Sequence, residues 1–75
     1  MPYERNADLP QSVRDSLPQA AQTIYRKAFN NAWEQYSRAE DRRGDASREE
    51  TAHRVAWSAV KQSYRKDGDY WVEKD

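Results

Sequence analysis

The sequence predicts a mainly α-helical chain, in which a short N-terminal helix precedes a long antiparallel helical hairpin, and three observations carry that reading. Between Ala21 and Ala39 the apolar positions recur every three or four residues, which is the period of one helix face. Ser47-Arg48-Glu49-Glu50 spells a capping box ahead of a second periodic run. Only a short connector separates the two runs, and consecutive helices joined that way lie antiparallel.

The elements follow in order. Asp8-Leu9-Pro10-Gln11 and Ser16-Leu17-Pro18-Gln19 repeat one pattern: a capping residue, an apolar residue, a proline suited to the first helical turn, and Gln in capping-box position. A residue before proline avoids the helical region, so Leu9 and Leu17 are expected just outside their helices. The first helix, about 10–16, is short because Pro18 interrupts it. The long helix, about 18–40, carries Ala21, Ile24, Tyr25, Ala28, Phe29, Ala32, Trp33, Tyr36 and Ala39 over an arc of roughly 200°, wide enough to touch two neighbours. Arg42, Arg43 and Gly44 suit a helix end, since cations favour the negative end of the dipole and glycine tolerates the left-handed cap.

After a charged connector, about 41–46, a helix spanning about 47–66 starts at Ser47, with Glu49 and Glu50 favoured in its first turn by the dipole. Ala52, Val55, Ala56 and Ala59 form a small-residue stripe, expected against the long helix. His53, Trp57, Val60 and Tyr64 form a bulkier stripe beside it, expected against the first helix or the terminal segments. Lys66-Asp67-Gly68-Asp69 reads as a stop and turn ahead of a tail, 67–75. Tyr3 and Tyr70-Trp71-Val72 either cap the core or make a minor strand pair from the two termini. Capping is the favoured option, because two isolated short strands are marginal in water.

Seventy-five residues suit a single domain, near the lower size at which one core outweighs chain entropy. Leu, Ile, Val and Phe number only eight, and 35% of the residues are charged, a balance that leans toward disorder. Nine aromatics and ten alanines reverse it, since rings wedged between closely approaching Ala-rich helices can replace a Leu/Ile core. Without cysteine there are no disulfides or thiolate metal sites, and a reducing cytoplasm is compatible. No apolar run is long enough for a signal-peptide core or a membrane span, so a soluble monomer without membrane insertion is expected. Thirteen basic and thirteen acidic residues cancel, which argues against binding duplex nucleic acid chiefly through phosphate neutralisation.

Candidate chemistry is sparse. His53 has Glu49 four residues before it, a spacing that points both at one metal or proton-transfer partner, yet a lone His among apolar positions is more often a hydrogen-bonded boundary residue. Asp41, Asp45, Glu49 and Glu50 lack the alternating spacing and closing Glu of an EF-hand loop. There is no Gly-rich phosphate loop, nucleophile elbow or Cys/His pair. We therefore expect no catalytic residues, no metal, no cofactor and no enzymatic activity. Trp33 and Trp57 read as core, and Trp71, past the turn, is left open as a partner anchor.

Glu40, Asp41, Arg42, Arg43, Asp45, Arg48, Glu49 and Glu50 form either a solvated hairpin tip or a recognition surface bearing both signs of charge. This run and the helix after it, preceded by Leu17-Pro18 and by Ala28-Phe29-Asn30-Asn31-Ala32-Trp33, resemble the ChaB family of small bacterial proteins, described as cation transport regulators. The resemblance covers roughly residues 2–64 and is densest in the charged run. It implies a cytoplasmic interaction protein that regulates a membrane cation/proton antiporter, with Glu40, Asp41, Arg42, Arg43, Asp45, Arg48, Glu49, Glu50 and His53 as the partner-binding surface. The alternative is a nucleic-acid accessory domain using Arg42, Arg43, Arg48, Arg54, Lys61, Arg65 and Lys66 as a one-sided patch. An acid-free basic patch in the structure would favour it.

Overall fold

Two Leu-Pro pairs set the N-terminal architecture. Leu9 and Leu17 are extended, with φ/ψ of −65°/154° and −113°/137°, as the clash with the following proline ring requires, and both side chains are buried. In the computed structural model, which describes residues 3–38 and 47–74, helix α1 (Gln11–Ser16) and helix α2 (Gln19–Gln35) each begin immediately after the proline. Pro10 and Pro18 occupy the N-cap positions, and no side chain caps either helix. The expected Asp8 and Ser16 boxes are therefore not formed. Proline presets φ and has no N–H of its own to satisfy, so the turn starts without a side-chain acceptor. Asp8 instead closes a 3₁₀ turn, Asn6–Asp8, by accepting from the Arg5 guanidinium at 3.1 Å.

Helix α3 (Arg48–Ser63) starts where the capping box placed it. Ser47 Oγ accepts the Glu50 amide at 3.0 Å, and Glu49 and Glu50 occupy the first turn. Its buried row is Ala52, Ala56 and Val60, continued by Tyr64, and it meets Ala21, Tyr25, Phe29 and Ala32 of α2. Val55 and Ala59 are only half-buried. The bulkier stripe does not face away from α2 as expected: the His53 ring lies 4.8 Å from Phe29, and Trp57 meets Tyr25 edge-on at 5.2 Å. Alanines at the centre of the contact leave room for rings on the flank to reach across.

Both long helices stop earlier than their apolar spacing suggests. Helix α2 ends at Gln35 rather than near residue 40, with Tyr36 as C-cap. A continuing helix would give the Trp33 carbonyl to the Ser37 amide. That carbonyl is taken instead by Arg48 Nε at 2.8 Å, a side chain supplying a partner to an orphan of the last turn. Helix α3 ends at Ser63 rather than 66, because Tyr64–Asp67 becomes strand β1 and pairs antiparallel with β2 (Tyr70–Glu73). Between them Gly68 has φ of +65° and no non-glycine residue has positive φ, the pattern of a two-residue II′ hairpin turn.

A minor strand pair is thus present, but both strands come from the C-terminal end. Tyr3 is strapped onto α2: its amide donates to Asn30 Oδ1 and its carbonyl accepts from Asn30 Nδ2, both at 2.8 Å. Its ring packs 4.8 Å from Phe29. Buried Gln22 similarly donates to the Leu17 carbonyl at 2.8 Å and the Arg14 carbonyl at 3.3 Å, closing the end of α1. Among the described residues, no helix is long and apolar enough to cross a membrane.

Candidate interaction surface at the base of the helical hairpin

The end of α2 and the first two turns of α3 bring four of the nine expected partner-binding residues together: Arg48, Glu49, Glu50 and His53. The other five, Glu40, Asp41, Arg42, Arg43 and Asp45, lie outside the described residues. Arg48 is not a free surface cation. Besides its bond to the Trp33 carbonyl, its guanidinium carbon sits 4.2 Å above the Trp33 ring, and such a cation–π contact contributes about 0.5–1 kcal/mol at a partly exposed site. Trp33 stacks in turn on Phe29 at 5.9 Å. Arg48 therefore ties the start of α3 to the aromatic core.

Beside it, Tyr25, His53 and Glu49 form a line from core to solvent. The Tyr25 hydroxyl meets His53 Nδ1, and Glu49 Oε1 lies 3.6 Å from His53 Nε2. Burial pushes the Tyr25 phenol well above the usual tyrosine range, with smaller contributions from Tyr3 and from the charge of Glu49. The phenol thus keeps its proton, and the imidazole tautomer that fits both contacts carries its hydrogen on Nε2, toward the Glu49 carboxylate, and accepts the phenol hydrogen at Nδ1. Tyr3 is raised for the same reasons, burial first and Glu49 second. One exposed carboxylate is felt by two phenols beneath it. Glu50 accepts from Arg54 at 3.3 Å, and with both side chains mostly in water that pair contributes a few tenths of a kcal/mol at about the level of other exposed helix pairs.

Chemically, the arrangement can present a carboxylate whose position is set by the imidazole below it, and an Nε2–H as a directional donor. Among the described residues, no group of three or more His, Cys, Asp or Glu side chains converges to hold a metal ion. The grooves at Trp57–Trp71 and at Ile24–Tyr64 are lined by other residues than His53. Of the basic residues offered for nucleic acid, Arg54 has Glu50 beside it, and Lys61 and Lys66 share one groove with Asp69. The roles of Tyr25 and Trp33 in this site had no signal in the sequence beyond their place in the apolar arc, since their partners are contributed by α3.

Comparison with known proteins bears on this whole length. The family described as ChaB matches residues 9–74, so the likeness extends past Tyr64 through the strand pair. A protein of Escherichia coli (strain K12) named "Putative cation transport regulator ChaB" is 61% identical over 75 residues, covering 99% of both chains. A protein of the same name from Shigella flexneri matches at the same identity and coverage. A solution NMR structure under that name superposes with a TM-score of 0.81 at 59% identity, covering 99% of this chain and 100% of the other.

Proposed function

This chain belongs to the ChaB family, and we propose that it regulates cation transport by docking from the cytoplasm onto a membrane cation/proton antiporter through the charged end of its helical hairpin. The observation that carries the reading is the name of a relative 61% identical along the whole chain. The site geometry supports the place of contact. Glu49 and Glu50 face solvent at the start of α3, next to a connector, 41–46, in which Asp41, Arg42, Arg43 and Asp45 are charged. Arg48 has a positioning role in this mechanism, holding the base of the tip against Trp33 while Arg42 and Arg43 supply the cationic side of the contact. Mixed charges of this kind supply orientation and on-rate more than affinity, so the complex is transient and salt-sensitive.

The test is affinity co-purification from detergent-solubilised, nuclease-treated cells, comparing the parent chain with the double variant R42E and R43E, read by mass spectrometry. Recovery of a cation antiporter by the parent and its loss in the variant is the expected result. Equal recovery by both, or a complex indifferent to raising salt from about 50 to about 500 mM, where the Debye length contracts several-fold, overturns the docking mechanism.

A further inference from the structure

The opposite end of α3 carries a second surface. Trp71 of β2 packs on Trp57 of α3 with ring centroids 5.5 Å apart and planes 34° apart, and both indoles stay partly exposed. They line an open groove of about 510 Å³ together with Ser16, Lys61, Lys66 and Asp69. Local geometry gives each indole its own ammonium. Lys61 follows Trp57 by one helical turn, and the strand register sets Lys66 directly across from Trp71, on the same face of the hairpin. Both lysines are exposed, and neither makes an ion pair among the described residues.

Two partly open indoles bordered by two unpaired ammonium groups suit a ligand that is apolar at one position and anionic at the positions beside it. From this charge and apolar complementarity we infer that the groove binds an acidic peptide segment of a partner protein, an apolar side chain lying on Trp57 and Trp71 while flanking carboxylates meet Lys61 and Lys66. A nucleic-acid strand fits less well. Asp69 lines the groove and Asp67 and Glu73 lie on the strands beside it. A phosphodiester chain carries charge at every step and cannot avoid them, whereas a peptide places its carboxylates selectively. The chain also has no net positive charge to draw in a polyanion. Trp57 and Lys61 stand 9 and 13 residues beyond Arg48 along α3, about 14 and about 20 Å at helical rise, so this surface is separate from antiporter docking by the tip.

The test uses the full chain and its three indole N–H resonances, with Trp33, at the far end, as internal reference. The probe is a short blocked peptide of alternating Glu and Leu. The expected result is a saturable shift of the Trp57 and Trp71 signals with Trp33 stationary. Charge reversal, K61E with K66E, is expected to weaken binding by about tenfold or more, as the loss of two ion pairs and their replacement by repulsion implies. Both sites are exposed, and an otherwise unchanged amide spectrum verifies that the variant is folded. The tip variant R42E and R43E is expected to bind the probe as the parent does. Absence of a saturable shift, equal movement of Trp33, equal binding by the lysine variant, or equal binding of a Lys/Leu peptide overturns the inference. Tighter binding of an oligothymidylate at the same indoles overturns it in favour of nucleic acid.

Discussion

The start of α3 and the segment where α3 gives way to β1 use their charges in different ways. At the N-terminal end Arg48 is stacked on Trp33, Glu49 lies against His53, and Glu50 holds Arg54. At the C-terminal end Lys61, Arg65 and Lys66 are exposed with no ion pair among the described residues. The cause is local spacing. Glu49/His53 and Glu50/Arg54 stand four residues apart, one above the other on the helix. Trp57 and Ser58, four and three residues before Lys61, cannot neutralise it, and α3 ends at Ser63, before a residue one turn further on could stand above it. Charge density along a chain is therefore a poor guide to charge that remains available for a partner. The denser run has spent part of its charge on folding, and the sparser one has not.

The largest expected effect erases the difference by removing what both ends share. Phe29 is fully buried and touches Tyr3, Tyr25, Trp33 and His53, so F29A is expected to cost about 3–5 kcal/mol in chemical denaturation, enough to unfold much of a domain this small at ordinary temperature. G68A is expected to damage the C-terminal end alone. A Cβ there meets no atom within 4 Å, so the cost is backbone strain at φ +65°, about 1–2 kcal/mol, with the indole resonances of Trp57 and Trp71 shifting and that of Trp33 keeping its place.

R48A sharpens the contrast directly. It removes a hydrogen bond to a helix-end carbonyl and a cation–π contact, and should cost about 1–2 kcal/mol. K61A and K66A, at the other end, should each stay within about 0.5 kcal/mol of the parent. Thermal melts of the three variants would reverse the comparison if the lysine variants proved the more damaging.

A last effect depends on pH. The Tyr25 phenol has its folded pKa raised above its ordinary value of 10.0. A group raised on folding contributes stability that is complete below the unfolded pKa and is lost as pH climbs from that value toward the folded one. Stability should accordingly decline above about pH 10, at a slope of up to about 1.4 kcal/mol per pH unit from this group. Y25F should show a shallower alkaline decline, while lowering stability at neutral pH by leaving His53 Nδ1 without its donor. Denaturation curves from pH 8 to pH 11, a window of about one to two units around the tyrosine value, check both parts.

Much of the fold was legible because its determinants are close in sequence. The Ser47 hydroxyl caps the Glu50 amide as read, Leu9 and Leu17 leave the helical region before their prolines, and the turn falls at Gly68. The candidate site was legible only in part. His53 appeared as a hydrogen-bonded boundary residue, and its Tyr25 partner confirms that setting. Arg48 appeared as one cation among several on a recognition surface, and nothing within four residues of it reveals Trp33. Asn30 and Gln22 gave no sign of their use, since an amide that clasps backbone on another segment looks like any surface Asn or Gln until that segment arrives.

The amino-acid order by itself determined the helix starts, the apolar faces, the tight turn and the absence of cysteine chemistry, because proline geometry, capping, glycine's left-handed freedom and 3.6-residue periodicity act over a few residues. Tertiary structure alone decided where the long helices stop, which rings cross between them and that Arg48 is bound to Trp33. Arg48 closes the end of α2 from 15 residues away, and β2 draws Tyr64–Asp67 out of the helix into a strand. Those outcomes depend on competition for the same carbonyls and amides between segments that meet only after the chain has folded, and no local preference settles such a competition.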